Sequence, residues 1–246
     1  MHRFFVDPSC IENGHVSFTG GAAHQISRVL RARPGEQVVV LDDTGWKYLV
    51  RLDTVAVDEV RGSIEDRTPV SGEPRVPVTL YQALLKSDSF EFVLQKGTEL
   101  GVSTFVPVQS SRSVARAASS STDGTRAVRW RRIIQEAAEQ SNRGRLPTLS
   151  PPVPFRAAIE SAAGLAVIPW EREAGTGLKA VLDEYVDSAA GISIYTGPEG
   201  GFTADEVEQA HSSGIVPVTL GKRILRAETA AIATVSAVMY ELGELG

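Results

Sequence analysis

Two short segments in the last third of the chain combine glycine with charged residues where a strand pattern gives way to a helix pattern. The first, Gly197-Pro198-Glu199-Gly200-Gly201-Phe202, follows the apolar run Ile192–Thr196. The second, Gly221-Lys222-Arg223-Ile224-Leu225-Arg226-Ala227-Glu228-Thr229-Ala230, follows residues 216–220. Both loops therefore belong at the strand-end edge of an α/β sheet, where open sheets bind ligands. Glycine in such loops allows positive φ and lets backbone come close to a ligand.

The residue types select the ligand. A Walker loop needs G-x-x-x-x-G-K-[ST], yet Gly221-Lys222 is followed by Arg223 and has no upstream glycine at the required spacing. The dinucleotide pattern G-x-G-x-x-G is equally absent from Gly197-Pro198-Glu199. Pro198 removes one N–H donor, and Glu199 repels phosphate. A neutral or cationic ligand suits these loops better. S-adenosyl-L-methionine, a sulfonium without phosphate, has that character.

GPEGGF followed by LGKRILRAETA resembles the paired signature of the RsmE family, the uridine N3-methyltransferases of small-subunit ribosomal RNA within the SPOUT superfamily. The likeness continues in His2-Arg3-Phe4-Phe5-Val6, in His24 with Arg28-Val29-Leu30-Arg31, in Gln95-Lys96-Gly97-Thr98-Glu99-Leu100-Gly101-Val102 and in Glu136-Ala137-Ala138-Glu139-Gln140-Ser141-Asn142-Arg143. Each motif is weak alone; together, in order, they are specific. The resemblance implies a SPOUT-type parallel sheet with a C-terminal trefoil knot, preceded by a small β-rich PUA-like RNA-binding domain. It further implies a homodimer acting on 16S ribosomal RNA within the small ribosomal subunit. Thr196, Gly197, Gly201, Leu220, Gly221, Ile224 and Leu225 are then the expected cofactor-binding residues, with Ile224 and Leu225 over the adenosine. A SPOUT enzyme acting on another RNA atom, or a non-catalytic RNA-binding protein of the same fold, are the alternatives.

Methylation at N3 of uridine imposes its own chemistry. The nitrogen carries a proton in the neutral base, and that proton must leave before or during attack on the sulfonium methyl. Negative charge then spreads onto the flanking carbonyl oxygens. The site needs a proton acceptor and donors near those oxygens. Arg226, between the second loop and the last helix pattern, is the candidate electrostatic group, and Glu199 the candidate base. Lys96 and Glu99 fit a helix ion pair or cap better than catalysis, while Glu171, at a strand tip on the same sheet edge, is a further pocket candidate. No metal is required.

The elements that must position these residues fall into two regions, 1–72 and 73–246, divided at Ser71-Gly72-Glu73-Pro74. In the first, residues 21–33 read as a helix stopped by Pro34-Gly35; Gln37–Leu41, 46–52 and 55–66 read as strands. That helix carries Ile26, Val29 and Leu30 on one face and His24, Arg28 and Arg31 on the opposite one. Spacing alone describes a solvated face. The resemblance makes it an RNA-docking stripe, with Arg3 as a second contact and Phe4 and Phe5 as core. In the second region, strands at 76–84 and 104–108 bracket a helix at 90–100, which announces a parallel layout. A small-residue loop at 117–125 precedes a helix at 126–142 with Val128, Ile133, Ile134 and Ala137 inward. Helix 155–163, strand 165–168 and helix 178–186 lead into the signature loops, and a helix at 228–243 closes the chain.

The 246 residues are 42% hydrophobic and 22% charged, which excludes wholesale disorder. One cysteine, Cys10, permits no intrachain disulfide, and four scattered histidines offer no metal-ligand spacing. Without a signal-peptide pattern or an apolar run of membrane-spanning length, a cytoplasmic protein is expected. The net charge of −5 is unhelpful for RNA, but its distribution is uneven. Between Ser110 and Pro147 stand eight arginines, Arg112 and Arg143 among them, against three acids. Arg112 and Arg143 are accordingly expected to face RNA.

Overall fold

The computed structural model describes residues 1–113, 121–184 and 191–245. These divide into two compact units. The first comprises Met1–Glu73 together with Ala138–Leu146, and the second comprises Pro74–Ala137 with Pro147–Gly246. The first stretch of unit one ends inside the Ser71–Pro74 turn sequence, but residues 138–146, which the sequence pattern attaches to the following region, return to it.

Unit one is a curled sheet of β1 (Arg3–Phe5), β2 (Ile11–Glu12), β3 (His15–Thr19), β4 (Gln37–Leu41), β5 (Trp46–Val55) and β6 (Glu59–Pro69). Its order is β1-β4-β5-β6-β3-β2, antiparallel apart from the β1–β4 pair. Alternation along β4 and β5 sends Val38, Val40, Tyr48, Val50 and Leu52 inward against Phe4, Phe18 and Ile26. The turn between β4 and β5 is fixed by the buried Asp42, whose carboxylate accepts from the Thr44 and Trp46 N–H groups and the Tyr48 hydroxyl. Burial works against that charge, and the three hydrogen bonds together still hold the carboxyl below its ordinary range. Val55 closes β5 instead of opening the next strand, because the chain turns at Asp58, with Ala56 N–H bonded to the Glu59 carbonyl.

The expected helix at 21–33 is shorter and wider. A five-residue α1 (Gly20–His24) passes into a π-helical turn over Gln25–Val29, and Arg31 leaves it with φ of 52°. The wider turn breaks the assumed angular spacing, so Val29, expected inside, is 65% exposed. Arg28 and Arg31 instead line a shallow surface hollow with Arg33 and Val55–Val57, and His24 stands outside it.

Unit two is parallel throughout. Its strands are β7 (Val78–Ala83), β8 (Thr104–Gln109), the two-residue β9 (Thr148–Leu149) and β10 (Val153–Pro154), then β11 (Leu165–Pro169), β12 (Ile192–Thr196) and β13 (Val216–Val218). They run β10-β8-β7-β12-β11-β13, with β9 also on β8. The connecting helices are α2 (Ser87–Glu99), α3 (Ser121–Gln140), α4 (Phe155–Glu160), α5 (Leu178–Asp183), α6 (Ala204–Ser212) and α7 (Ala227–Glu241). The central strands β7 and β12 are buried on both faces, which explains their unbroken apolar runs. One face packs on Phe90, Val93 and Leu94 of α2 and Ala231, Val235 and Met239 of α7; the other packs on Phe155, Ile159 and Val207. Lys96 pairs with Glu99 at 2.8 Å on α2.

Helix α3 starts at Ser121, so the expected loop at 117–125 overlaps its first turn; residues 117–120 lie outside the described residues. Trp130 and Ile134 face the core, whereas Val128 is 65% exposed.

Arg143 corrects the expectation of an RNA-facing side chain. It is 3% exposed within unit one and forms a two-pronged ion pair with Glu73, at 3.2 Å from Nε and 2.8 Å from Nη2. Glu73 also accepts the Gly144 and Arg145 N–H groups, at 2.8 and 3.2 Å. Removing one partner of such a pair leaves a buried charge uncompensated and costs about 3 kcal/mol or more. Glu73→Ala should therefore lower stability by about that amount, and the double change Glu73→Leu, Arg143→Met should restore most of it. Urea denaturation of the three proteins checks this; equal midpoints for parent and Glu73→Ala would refute it.

Candidate active site

The two glycine loops emerge from the strand ends of the unit-two sheet, as their position after β12 and β13 requires. Beneath the first, β7 and β12 run in register as far as Gln82 beside Thr196. There the Thr196 hydroxyl donates to Gln82 Oε1 at 2.6 Å, and Gln82 Nε2 reaches the Ala83 carbonyl at 3.0 Å and the Gly197 carbonyl at 3.4 Å. Both side chains are about 1% exposed. The Thr196 side chain is thus engaged in holding the loop's root, and Thr196 is the one expected cofactor residue outside the lining of the cavity above it. Gln82 was the residue sequence reasoning missed. Its only signal is a lone amide inside the apolar run Val78-Thr79-Leu80-Tyr81-Gln82-Ala83-Leu84-Leu85.

The first loop turns back on itself, with Gly201 N–H bonded to the Pro198 carbonyl at 2.9 Å. Phe202 anchors it by entering the core against Phe155, ring centroids 5.2 Å apart. The chain then enters α6 through a capping box: Thr203 accepts from the Glu206 N–H while Glu206 accepts from the Thr203 N–H. Two further contacts brace the loop. Glu199 Oε1 accepts the Lys86 N–H at 3.0 Å, and Arg112 donates from Nη1 to the Gly200 carbonyl at 2.8 Å. Arg112, expected to face RNA, therefore has one donor on the loop while its side chain stays at the surface.

The second loop is stitched to the ends of β11 and α5. Trp170 N–H bonds the Val218 carbonyl at 3.0 Å, Thr219 N–H the Thr176 carbonyl at 2.8 Å, and Thr219 Oγ1 accepts the Gly221 N–H at 3.2 Å. Gly221 has φ of 100° and open space where a Cβ would stand. Ile224 is 87% exposed. Arg226 occupies the N-cap position of α7, and its guanidinium has no hydrogen-bond or ion-pair partner among the described residues. A pairing with Glu228 is not formed.

Together the loops enclose a cavity of about 310 Å³. Pro169, Trp170 and Glu171 wall it from the β11 tip, Gly197–Phe202 from the first loop, and Thr219–Gly221 with Arg223–Leu225 from the second. Six of the seven expected cofactor residues line it, Thr196 excepted, together with Glu199 and Glu171. Arg226 does not, although its neighbours Leu225 and Ala227 do. The lining tests well against a sulfonium nucleoside. Its two carboxylates outnumber its one arginine, Arg223, a balance that suits a cationic ligand better than a phosphate, and Trp170 Nε1 is a buried donor without a partner among the described residues.

A parallel sheet with a strand-end cavity of this composition is the architecture of an RNA methyltransferase domain, and residues 72–239 match the family model of that description. The ribosomal RNA small subunit methyltransferase E of Synechocystis is 36% identical over 97% of this chain and 78% of its own length; that of Bacillus subtilis is 32% identical over 98% and 97%. The chain belongs to the ribosomal RNA small subunit methyltransferase E family. Among solved structures, the Neisseria gonorrhoeae member bound to S-adenosyl methionine superposes with a TM-score of 0.87 at 31% identity, covering 98% of this chain and 97% of that one. A putative methyltransferase from Legionella pneumophila, also bound to this cofactor, gives 0.88 at 27% identity, covering 97% and 96%.

One group under the first loop reports on the integrity of its root. The Tyr195 ring on β12 stacks on Tyr81 of β7, centroids 4.3 Å apart, and its hydroxyl donates to the Ala158 carbonyl at 2.9 Å. Burial, with Tyr81 adding to it, raises this phenol well above the ordinary value of 10.0. The folded state then holds the proton that the unfolded chain releases above about pH 10, so stability falls as pH rises past that point. Denaturation midpoints measured between about pH 9 and 11 should decline less steeply for Tyr195→Phe than for the parent. Parallel declines would show that Tyr195 carries no such linkage.

Proposed function

We propose that the chain transfers the methyl group of S-adenosyl-L-methionine to N3 of a uridine in 16S ribosomal RNA of the small ribosomal subunit. The observation that carries this reading is the cavity lined from both glycine loops, in a chain of this family. The relatives' names specify ribosomal RNA of the small subunit, and the Neisseria relative binds the same methyl donor. The uridine and its N3 atom come from the ordered motifs quoted above.

In this reading the backbone of Gly197, Gly201, Leu220 and Gly221 receives the adenosine and methionine portions, with Ile224 and Leu225 against the base. The cofactor supplies an electrophilic methyl on sulfur. Arg226 stands at the start of the 15-residue α7, whose first-turn N–H groups add partial positive charge at the cavity rim. A guanidinium without a competing carboxylate can turn to the uracil oxygens as the N3 proton leaves. Glu199, with Oε1 on the Lys86 N–H, has Oε2 available as acceptor for that proton. Arg3, His24, Arg28 and Arg31 of the PUA-like unit would meet RNA phosphates. A homodimer, a knotted C-terminal threading and a cytoplasmic setting belong to the same reading; no helix among the described residues is long and apolar enough to cross a membrane.

Valine at 221 would be forced from the left-handed backbone region, which a β-branched residue strongly resists. Gly221→Val should abolish calorimetric binding of S-adenosylmethionine while circular dichroism stays native; undiminished affinity would put the cofactor elsewhere.

The reaction itself is tested by single-turnover methylation of small subunits at saturating cofactor, followed by nucleoside mass spectrometry. The parent should yield 3-methyluridine, and a methyl group on another atom would overturn the assignment. Arg226→Ala should cut the rate by about 100-fold with little loss of cofactor affinity. A near-normal rate would remove Arg226 from the chemistry.

A further inference from the structure

Glu171 is the carboxylate in the cavity that this scheme leaves without a task. It follows Trp170 at the tip of β11, and its two oxygens lie 3.2 and 3.3 Å from where a Cβ on Gly201 would stand. Gly201, at φ of 65°, thereby allows the carboxylate to rest against the first loop. The other acids nearby are engaged. Glu199 accepts the Lys86 N–H, and Glu173 accepts the Gly175 and Thr176 N–H groups, which hold its carboxyl below the ordinary range. Glu171 has no hydrogen bond or ion pair among the described residues. An unpaired carboxylate on a cavity wall attracts a cationic ligand, and with Glu199 on the neighbouring wall the two acids outweigh Arg223 in the lining.

We propose that Glu171 is the counter-charge for a positive group of S-adenosylmethionine, its α-ammonium or its sulfonium, and so makes the pocket select the charged methyl donor over neutral adenosine derivatives. The proposal rests on the reading of this cavity as the cofactor site. Gly201 serves it by leaving room for the carboxylate, a role separate from any backbone contact of its own. The tip of β11 thus becomes a third wall of recognition beside the two signature loops.

Calorimetry on the full chain separates the possibilities. Glu171→Gln keeps the side chain's shape and removes only its charge. It should bind S-adenosylmethionine roughly tenfold more weakly than the parent. Binding of 5′-methylthioadenosine, which shares the adenosine but has neither positive group, should be unchanged. S-adenosylhomocysteine keeps the ammonium and lacks the sulfonium: its weakened binding to the variant assigns Glu171 to the ammonium, and its unchanged binding assigns it to the sulfonium. Unchanged affinity for S-adenosylmethionine overturns the proposal, as does an equal loss for methylthioadenosine, which would make Glu171 a support for the loop. A parent protein that binds none of the three would instead overturn the cofactor reading itself.

Discussion

Thr196 and Gln82 meet in a single buried hydrogen bond at the last point where β7 and β12 run side by side. Beyond it the two strands part, one into α2 and the other into the first glycine loop. A buried amide and hydroxyl must satisfy one another, because an unpaired partner at such a site costs about 1–3 kcal/mol. The bond therefore fixes where the strands separate. The position of Gly197, the reach of Glu199 to Lys86 and the entry of Phe202 into the core all follow from that point. The cavity inherits its floor from the sheet; only its walls are made by loops.

Charge is arranged on a similarly local scale. A count of arginines over 110–147 describes a basic surface, but the structure gives several of them partners within the protein. Arg129 pairs with Glu91, Arg132 with Glu136 and Arg143 with Glu73, while Arg126 sits over the Trp130 ring at 5.7 Å. Arg143 is thereby withdrawn from the surface, whereas Arg129 and Arg132 stay exposed with their charge partly offset by the paired glutamates. In the cavity the balance is acidic, with Glu171 and Glu199 against Arg223, and suits a cationic nucleoside better than a nucleotide.

The loops and their place at the sheet edge were legible because their information is local: apolar strand, glycine turn, helix start. Local pattern located β7, β8, β11 and β12 and the helices α2, α4, α5 and α7 to within a few residues, while α3 begins five residues before its expected start. It failed where geometry departed from the assumed repeat, as at the π-helical turn that put Val29 outside. It failed again where a partner is remote. Gln82 and Thr196 are 114 residues apart, and Arg143 is 70 residues from Glu73, so neither pairing leaves a trace in local pattern. The orientation of Arg226 is of the same kind, since an N-cap residue can face the loop, the helix or solvent with one sequence.

The return of residues 138–146 to unit one bears on the order in which the chain can fold as it is made. Phe5 and Leu41 share a small cluster with Ala138 and Leu146, and the Phe5 N–H is bonded to the Glu139 carboxylate. None of these partners exists when Glu73 leaves the ribosome. At ordinary synthesis rates the missing segment arrives on the order of ten seconds later. Until then the nascent unit carries an open apolar edge beside β1 and a Glu73 carboxylate without its arginine, so its completion waits on the first helices of the region that follows.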